Sequence, residues 1–219
     1  MSMTYAAPAR SFAPANRLTR EAFDIEGQRM SFARDEEIFG EGEEPTWVYQ
    51  IVSGAVRTYR LLSDGRRQIE EFHFAGDCFG LEAGVERRTT AEAITDVVVK
   101  LVKRATLTER ALEDAETARK LWRLTAQDLR RTQDHVLMLG RRSAAERVAG
   151  FLLDLAERAL TPCVVDLPMS RQDIADYLGL TIETVSRTFT QLQAAGHVEM
   201  PLSRRVILAD REALAEMCV

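Results

Sequence analysis

Hydrophobic positions along the chain change their period three times. From about Gln28 to Val102 they fall in short strand-like runs, Trp47–Val52, Ala55–Leu61 (AVRTYRL) and Gln68–Phe74 (QIEEFHF), the last two alternating apolar and polar residues. Ser53-Gly54, Asp64-Gly65 and Gly76-Asp77 punctuate them as turns, and Asp-Gly is a pair that tolerates positive φ. Ala91–Leu101 closes the series with β-branched residues. Strands this short and this evenly spaced predict a small antiparallel barrel or roll.

From about Leu107 to Leu139 the period becomes helical. Ala118, Trp122, Thr125, Leu129, Thr132, Val136 and Leu139 follow one another at spacings of 4, 3, 4, 3, 4 and 3. That is an a/d seam, with charged residues such as Arg119, Arg123, Asp128 and Arg131 off it. Packing on its own domain is one reading of such a helix. A two-per-heptad stripe is narrower than core-facing helices carry, and it fits a helix paired with its own copy. Gly140 is expected to break the helix. Beyond it, Ser143–Leu160 is amphipathic, Thr161-Pro162 stops it, and Val164–Leu167 can form a short strand.

The stretch Met169–Leu192 (MSRQDIADYLGLTIETVSRTFTQL) carries the most information. Ser170 with Asp173 three residues on is a capping pair, so a helix should begin at Arg171. Ile174, Ala175 and Leu178 form its inner face, Gly179 permits a tight turn, and Thr181 can cap a second helix whose buried stripe is Val185, Phe189 and Leu192. Two short helices joined this way make a helix-turn-helix, whose second helix can enter a DNA major groove. Its outward residues are Ile182, Glu183, Ser186 and Arg187. Arg can bond guanine O6 and N7, Glu can accept from cytosine N4, and Ser can reach either kind of base edge. In isolation Glu183 and Arg187 would equally make an i,i+4 ion pair on a solvated face; the surrounding motif favours base reading. After Gly196, His197–Met200 and Arg205–Leu208 can pair as a hairpin. Arg204 and Arg205 at its tip suit phosphate contacts, and a solvated basic turn would look the same.

Composition narrows the function classes. The 219 residues are 46% hydrophobic and 29% charged, with a net charge of −5, so the chain can bury a core and is not a non-specific coat for nucleic acid. From Arg141 onward 9 basic and 11 acidic residues leave a net of −2, so any DNA-binding surface must be a local concentration of charge. No apolar run approaches a membrane span, and the N-terminus lacks a secretory pattern, which places the protein in the cytoplasm with no membrane partner. Cys78, Cys163 and Cys218 are too few and too scattered for a disulfide framework or a metal knuckle. No nucleophile–base pair or phosphate-cradling glycine loop supports an enzyme.

On these residues the sequence resembles the Crp/Fnr superfamily of bacterial transcription regulators from about Gln28 to the C-terminus. The resemblance rests on Gly54, Asp64-Gly65-Arg66 and Gly76-Asp77-Cys78-Phe79-Gly80, then the long helix, then Ser170–Leu192. It implies an α+β protein: a cyclic-nucleotide-binding-like β-roll, a long dimerisation helix and a C-terminal winged helix-turn-helix. The expected divisions are a flexible arm over 1–27, the β-roll over 28–106, the dimerisation helix over 107–140 and the DNA-binding domain over 141–219. Glu183-x-x-Ser186-Arg187 is similar to the recognition triplet of the Fnr and FixK branches. It implies a homodimer on a TTGAT-like inverted repeat of double-stranded DNA, with Arg187 and Glu183 on the central G·C pair and Ser186 near the thymines. Ile182 stands where cyclic-AMP-dependent members carry a base-reading Arg. Ser170, Arg171 and Thr181 match family positions that touch phosphates, and RNA polymerase holoenzyme is the implied partner in activating microaerobic or anaerobic genes.

The same resemblance frames the search for a sensor. Family nucleotide sites use Gly-Glu followed by Arg-Ser/Thr; here the candidates are Gly76, Asp77, Arg87, Arg88 and Thr89, with a shorter acid and an altered register. The first 77 residues hold no Cys, which removes the thiolates of an iron–sulfur cluster. Heme-binding relatives place Cys and His where this chain has Gly80 and Glu82. His73 and Cys78 read as a core histidine and a buried thiol, His135 as helix surface, and Cys163 as a redox-sensitive position only if exposed. The expectation is a FixK-type regulator with no cofactor; the alternative is an effector-gated relative whose β-roll binds a cyclic nucleotide or heme.

Overall fold

The computed structural model describes residues 27–141, 143–159, 161 and 163–218. Of the expected arm all but Gly27, and of the expected helix stop Pro162, lie outside the described residues.

Eight strands build the N-terminal half. β1 (Gln28–Phe32), β3 (Trp47–Ser53), β6 (Cys78–Phe79) and β8 (Val97–Lys103) pair in the order β1-β8-β3-β6. β2 (Glu37–Phe39), β4 (Ala55–Leu61), β5 (Arg67–Phe74) and β7 (Thr90–Ala93) pair in the order β2-β7-β4-β5. Every pairing is antiparallel. Between the sheets lie Phe39, Tyr49, Ile51, Val56, Phe79 and Val99, with the Tyr49 and Phe79 rings stacked at 5.0 Å. Gly54 makes the β3–β4 turn at φ 94°, where an added Cβ would sit 2.4 Å from the Asp96 carbonyl, so only glycine fits.

In β5 the structure departs from simple alternation. Thr58 pairs with Glu71 and Tyr59 with Ile69, which leaves Glu70 as an extra residue, a β-bulge. The bulge resets the side-chain phase, so that Ile69, Phe72 and Phe74 share one face although their numbers differ in parity. That face turns away from the roll and packs on the C-terminal half.

Helix α1 (Arg104–Glu113) and helix α2 (Ala115–Arg141) replace the single helix expected from residue 107. The break is at Asp114, which is extended and accepts from the Thr117 hydroxyl at 2.6 Å and the Thr117 and Glu116 amides at 2.9 and 3.1 Å. It caps α2, a role that apolar spacing does not reveal. Gly140 does not end α2, which continues to Arg141; Ser143 instead starts α3 (Ala144–Arg158) with a capping box to Glu146. One face of α2 packs Leu124 on Val48, Cys78, Val102 and Leu107 of the roll and α1.

The remaining elements are β9 (Val164–Asp166), α4 (Arg171–Leu178), α5 (Ile182–Ala194), β10 (Val198–Leu202), β11 (Arg205–Leu208) and α6 (Arg211–Glu216), with a small sheet ordered β10-β11-β9. Their core is continuous with β5: Phe72 lies 6.1 Å from Phe151 and 5.2 Å from Tyr177, ring to ring. Among the described residues no helix is long and apolar enough to cross a membrane.

Asp128 of α2 is half-buried facing this junction, near Glu71, Asp77, Glu82 and Arg131. Burial, and then the charge of Glu71, push its carboxyl up to about 7. The folded value exceeds the unfolded one, so the native state retains a proton that the unfolded chain releases, and stability falls as pH rises through that window. The melting temperature should therefore drop between about pH 4 and about pH 7 and level off above that in the wild type, and drop less in Asp128→Asn. Parallel thermal-melt profiles for the two proteins would contradict this.

Candidate nucleic-acid interface

The motif folds as its local chemistry requires. Ser170 Oγ accepts from the Asp173 amide and the Asp173 carboxylate accepts from the Ser170 amide, closing the box that starts α4. Gly179 is left-handed at φ 62°, ψ 39°, and Thr181 Oγ accepts from the Thr184 amide to start α5. Ile174, Ala175, Leu178, Val185, Phe189 and Leu192 are all buried, which fixes the angle between the helices. That burial forces Ile182, Glu183, Ser186 and Arg187 outward, and all four are exposed. Among the described residues neither Glu183 nor Arg187 forms an ion pair. The amide at the helix start and the Thr181 hydroxyl hold the Glu183 carboxyl below its usual value, so it is an acceptor at neutral pH.

A groove beside these residues is lined by Ser170, Arg171, Ser186, Thr190, Ser203 and Arg204. The Arg171 guanidinium lies 3.5 Å from the centre of the Phe189 ring. Its Nη2 makes only long contacts, 3.6 Å to Met200 Sδ and 3.5 Å to the Ser203 carbonyl, and its buried Nη1 has no partner. Burial lowers its pKa to about 10, so it stays charged near neutrality, with no carboxylate partner among the described residues. A charge in that state is a receptor for an anion.

The two wing arginines part company. Arg204 is exposed at the β10–β11 turn with one weak bond, 3.4 Å to the Pro168 carbonyl. Arg205 lies on β11, where its Nε and Nη2 donate to the Asp166 carboxylate at 2.7 and 3.0 Å, so its charge is matched inside the domain and ties β11 to β9.

The α2 seam stays open in the single chain: Trp122 is 77%, Leu129 59% and Val136 62% exposed. Thr125 and Thr132 are exposed between them, and Ala118 and Leu139 are half-buried at the ends.

Of the five residues expected around an effector, Asp77 and Arg87 are engaged with other groups. The buried Asp77 carboxylate accepts from the Phe74 amide at 2.9 Å and from Arg158 of α3 at 2.5 Å, with Arg131 at 3.5 Å. Arg87 is buried over the Phe39 ring at 4.1 Å, donating to Glu82 at 2.7 Å and to the Trp47 carbonyl at 2.5 Å. Arg88 is exposed, Thr89 is buried, and Gly76 only makes the turn at φ 96°. His73 is buried with Nε2 3.1 Å from Thr58 Oγ1, burial lowers its pKa, and it stacks on Phe79. Burial pushes the Cys78 thiol up, which makes it inert, whereas Cys163 is exposed. Among the described residues no cluster of three or more His, Cys, Asp or Glu could hold a metal ion.

Sequence reasoning missed the contacts that hold the helix-turn-helix to the rest of the chain. His135, expected on the surface, is half-buried: it stacks on Tyr177 at 4.0 Å, and its Nε2–H donates to the Tyr177 carbonyl at 2.9 Å. Arg147 donates to the carbonyls of Leu139 and Leu178, each at 2.9 Å, joining the ends of α2 and α4. Arg57 and Arg67 of the roll reach Asp173 and Asp176 of α4. These pairs are far apart in sequence, and no local spacing announces them.

Comparison with known proteins bears on this geometry. The Crp-like helix-turn-helix domain family matches residues 146–217, and the cyclic nucleotide-binding domain family matches residues 29–114. The chain is similar to the nitrogen fixation regulation protein FixK of Azorhizobium caulinodans, 52% identical over 196 residues that cover 87% of this chain and 79% of that one. It is also similar to the transcriptional activatory protein AadR of Rhodopseudomonas palustris, 40% identical over 177 residues, 79% of this chain and 74% of that one. The solved structure of FixK2 from Bradyrhizobium japonicum superposes with a TM-score of 0.86 at 50% identity, covering 89% of this chain and 98% of that one.

The exposed seam generates its own test. Leu129→Glu places a charge in the middle of the stripe, where pairing would bury it unmatched. The particle mass by light scattering should fall to that of a single chain. A variant that keeps twice that mass would show that the stripe is not a pairing face.

Proposed function

The chain belongs to the Crp/Fnr family of transcription regulators, within its FixK branch, and we propose that it acts in the cytoplasm as a homodimer that reads a TTGAT-like inverted repeat and activates microaerobic or anaerobic genes. The observation that carries this reading is the contrast in charge at the interface. Most arginines of the C-terminal half are matched by carboxylates or carbonyls, while among the described residues Arg187 forms no ion pair and Arg171 has no carboxylate, only long contacts and an unpartnered Nη1.

Each residue then has a physical role. Arg187 donates to guanine O6 and N7, Glu183 accepts from the paired cytosine N4, and Ser186 and Ile182 meet the neighbouring bases. Ser170, Arg171, Thr181 and Arg204 hold phosphates and set the register without reading sequence. Arg205 supports the wing through Asp166 and contributes less to the phosphate contacts than its neighbour. Pairing of two α2 helices along the seam from Ala118 to Leu139 would place the two α5 helices about one DNA turn apart, which suits a palindrome. The activator role draws on the name of the AadR relative, and RNA polymerase holoenzyme is the partner such a role requires. No effector is needed: Asp77 and Arg87, the two groups that a nucleotide would have to recruit, are engaged with other parts of the chain.

The test is a gel-shift titration of ligand-free protein on a TTGAT-N4-ATCAA duplex beside a scrambled duplex. Selective binding is expected, and equal binding to both would overturn the reading. Arg187→Ala should cost about 1–3 kcal/mol per half-site and relax selection at the guanine. Arg171→Ala should weaken binding on all duplexes alike and flatten the salt dependence by about one unit of slope per half-site. Unchanged discrimination in the first variant, or sequence-selective loss in the second, would reassign the two arginines.

A further inference from the structure

The face of β4 and β5 that meets α4 carries two arginines aimed at one carboxylate. Asp173 Oδ1 accepts from Arg67 Nη2 at 2.5 Å and from Arg57 Nη1 at 3.2 Å. Its other oxygen, Oδ2, accepts from the Ser170 amide at 2.9 Å and the Ser170 hydroxyl at 2.7 Å. Arg67 Nε also donates to Asp176 Oδ2 at 2.8 Å, one turn further along α4. Arg57, whose side chain is only 9% exposed, is anchored on the roll by Glu92 and, at 3.5 Å, by Asp35. A single carboxylate thus joins the roll on one side to the cap residue of the helix-turn-helix on the other.

We propose that Arg57 and Arg67 are positioning residues for DNA binding, a clamp that fixes the helix-turn-helix against the β-roll and so sets the separation of the two recognition helices in a dimer. The inference rests on the palindrome-binding reading above. The apolar part of the junction, Phe72 against Tyr177 and Phe151, holds the halves together but is non-directional and tolerates sliding. Guanidinium–carboxylate bonds are directional, and two arginines converging on Asp173 with a third contact at Asp176 fix both position and rotation of α4. Small rotations there are amplified at the tip of α5, where half-site spacing is read.

The experiment uses the full chain and three duplexes: the inverted repeat with its N4 spacer, the same repeat with an N6 spacer, and a single half-site. Wild-type protein should prefer N4 strongly over N6. Arg67→Met keeps the aliphatic stem and removes the charge; it should retain half-site affinity while the N4-to-N6 preference falls about tenfold, an ordinary size for coupling between sites. Exchanging the charges, Arg67→Asp with Asp176→Arg, should restore part of that preference, and thermal melts of both variants establish that they fold. Equal loss on all three duplexes, or an unchanged preference, would overturn the clamp while leaving DNA recognition intact. A wild type that binds the repeat no better than scrambled DNA would overturn the recognition itself, and the clamp with it.

Discussion

The bulge at Glu70 brings Ile69 onto the outer face of β5 beside Phe72 and Phe74, and the arrangement of the molecule follows from that. On the inner side His73, paired with Val56 of β4, completes the core of the roll. On the outer side Ile69, Phe72 and Phe74 form an apolar surface that a lone β-roll could not leave in water, and α3 and α4 cover it. Full burial of side chains this size contributes about 1.5–3 kcal/mol each, enough to make the two halves one packed body. The same strand pair carries Arg57 and Arg67 at the edges of that apolar patch, so the surface that drives docking also brings the directional contacts to Asp173 and Asp176.

Charge is sorted by this packing. Where the halves meet, arginines are matched: Arg131 with Glu71 and Asp77, Arg158 with Asp77, Arg57 with Glu92 and Asp173. On the opposite side of the helix-turn-helix, Arg171, Arg187 and Arg204 have no carboxylate partner among the described residues. A chain with a net charge of −5 can therefore present a cationic surface to DNA, because its acidic residues are concentrated elsewhere. Counting charge by domain hides this; pairing each arginine reveals it.

What was legible in the sequence was whatever is decided within a few residues. Ser170 and Asp173, Gly179, Thr181, and the stripe Val185-Phe189-Leu192 all act at separations of three or four positions, and the structure uses each of them as their spacing predicts. Asp114 was missed although its cap is local, because the apolar period of the helix runs past it without interruption. Gly140 misled for the converse reason: its flexibility permits a break, but nothing nearby requires one, and the cap at Ser143 decides the boundary. The bulge was invisible because QIEEFHF alternates plausibly in either phase. Arg57, Arg67, His135 and Arg158 find their partners across the junction 42 to 116 positions away, and only tertiary packing selects them.

The fate of Asp77 bears on whether the roll senses a ligand. The resemblance makes it the counterpart of an acid that holds a ribose, yet here its side chain is 11% exposed and faces Arg158 of α3. Burial raises its pKa, but Arg158, Arg131 and the Phe74 amide outweigh this and keep the carboxyl ionised. Turning it inward to a ribose would exchange the Arg158 guanidinium for hydroxyl donors that carry no charge, leaving the buried carboxylate without its counter-charge. It would also strand Arg158, which is largely buried, without its carboxylate. Arg87 faces a similar loss if drawn from Glu82 and the Phe39 ring toward a phosphate. A nucleotide that engaged Asp77 would thus have to break its pair with Arg158 across the junction between the two halves. Of the residues placed to receive a signal, Asp77 instead ties the roll to α3.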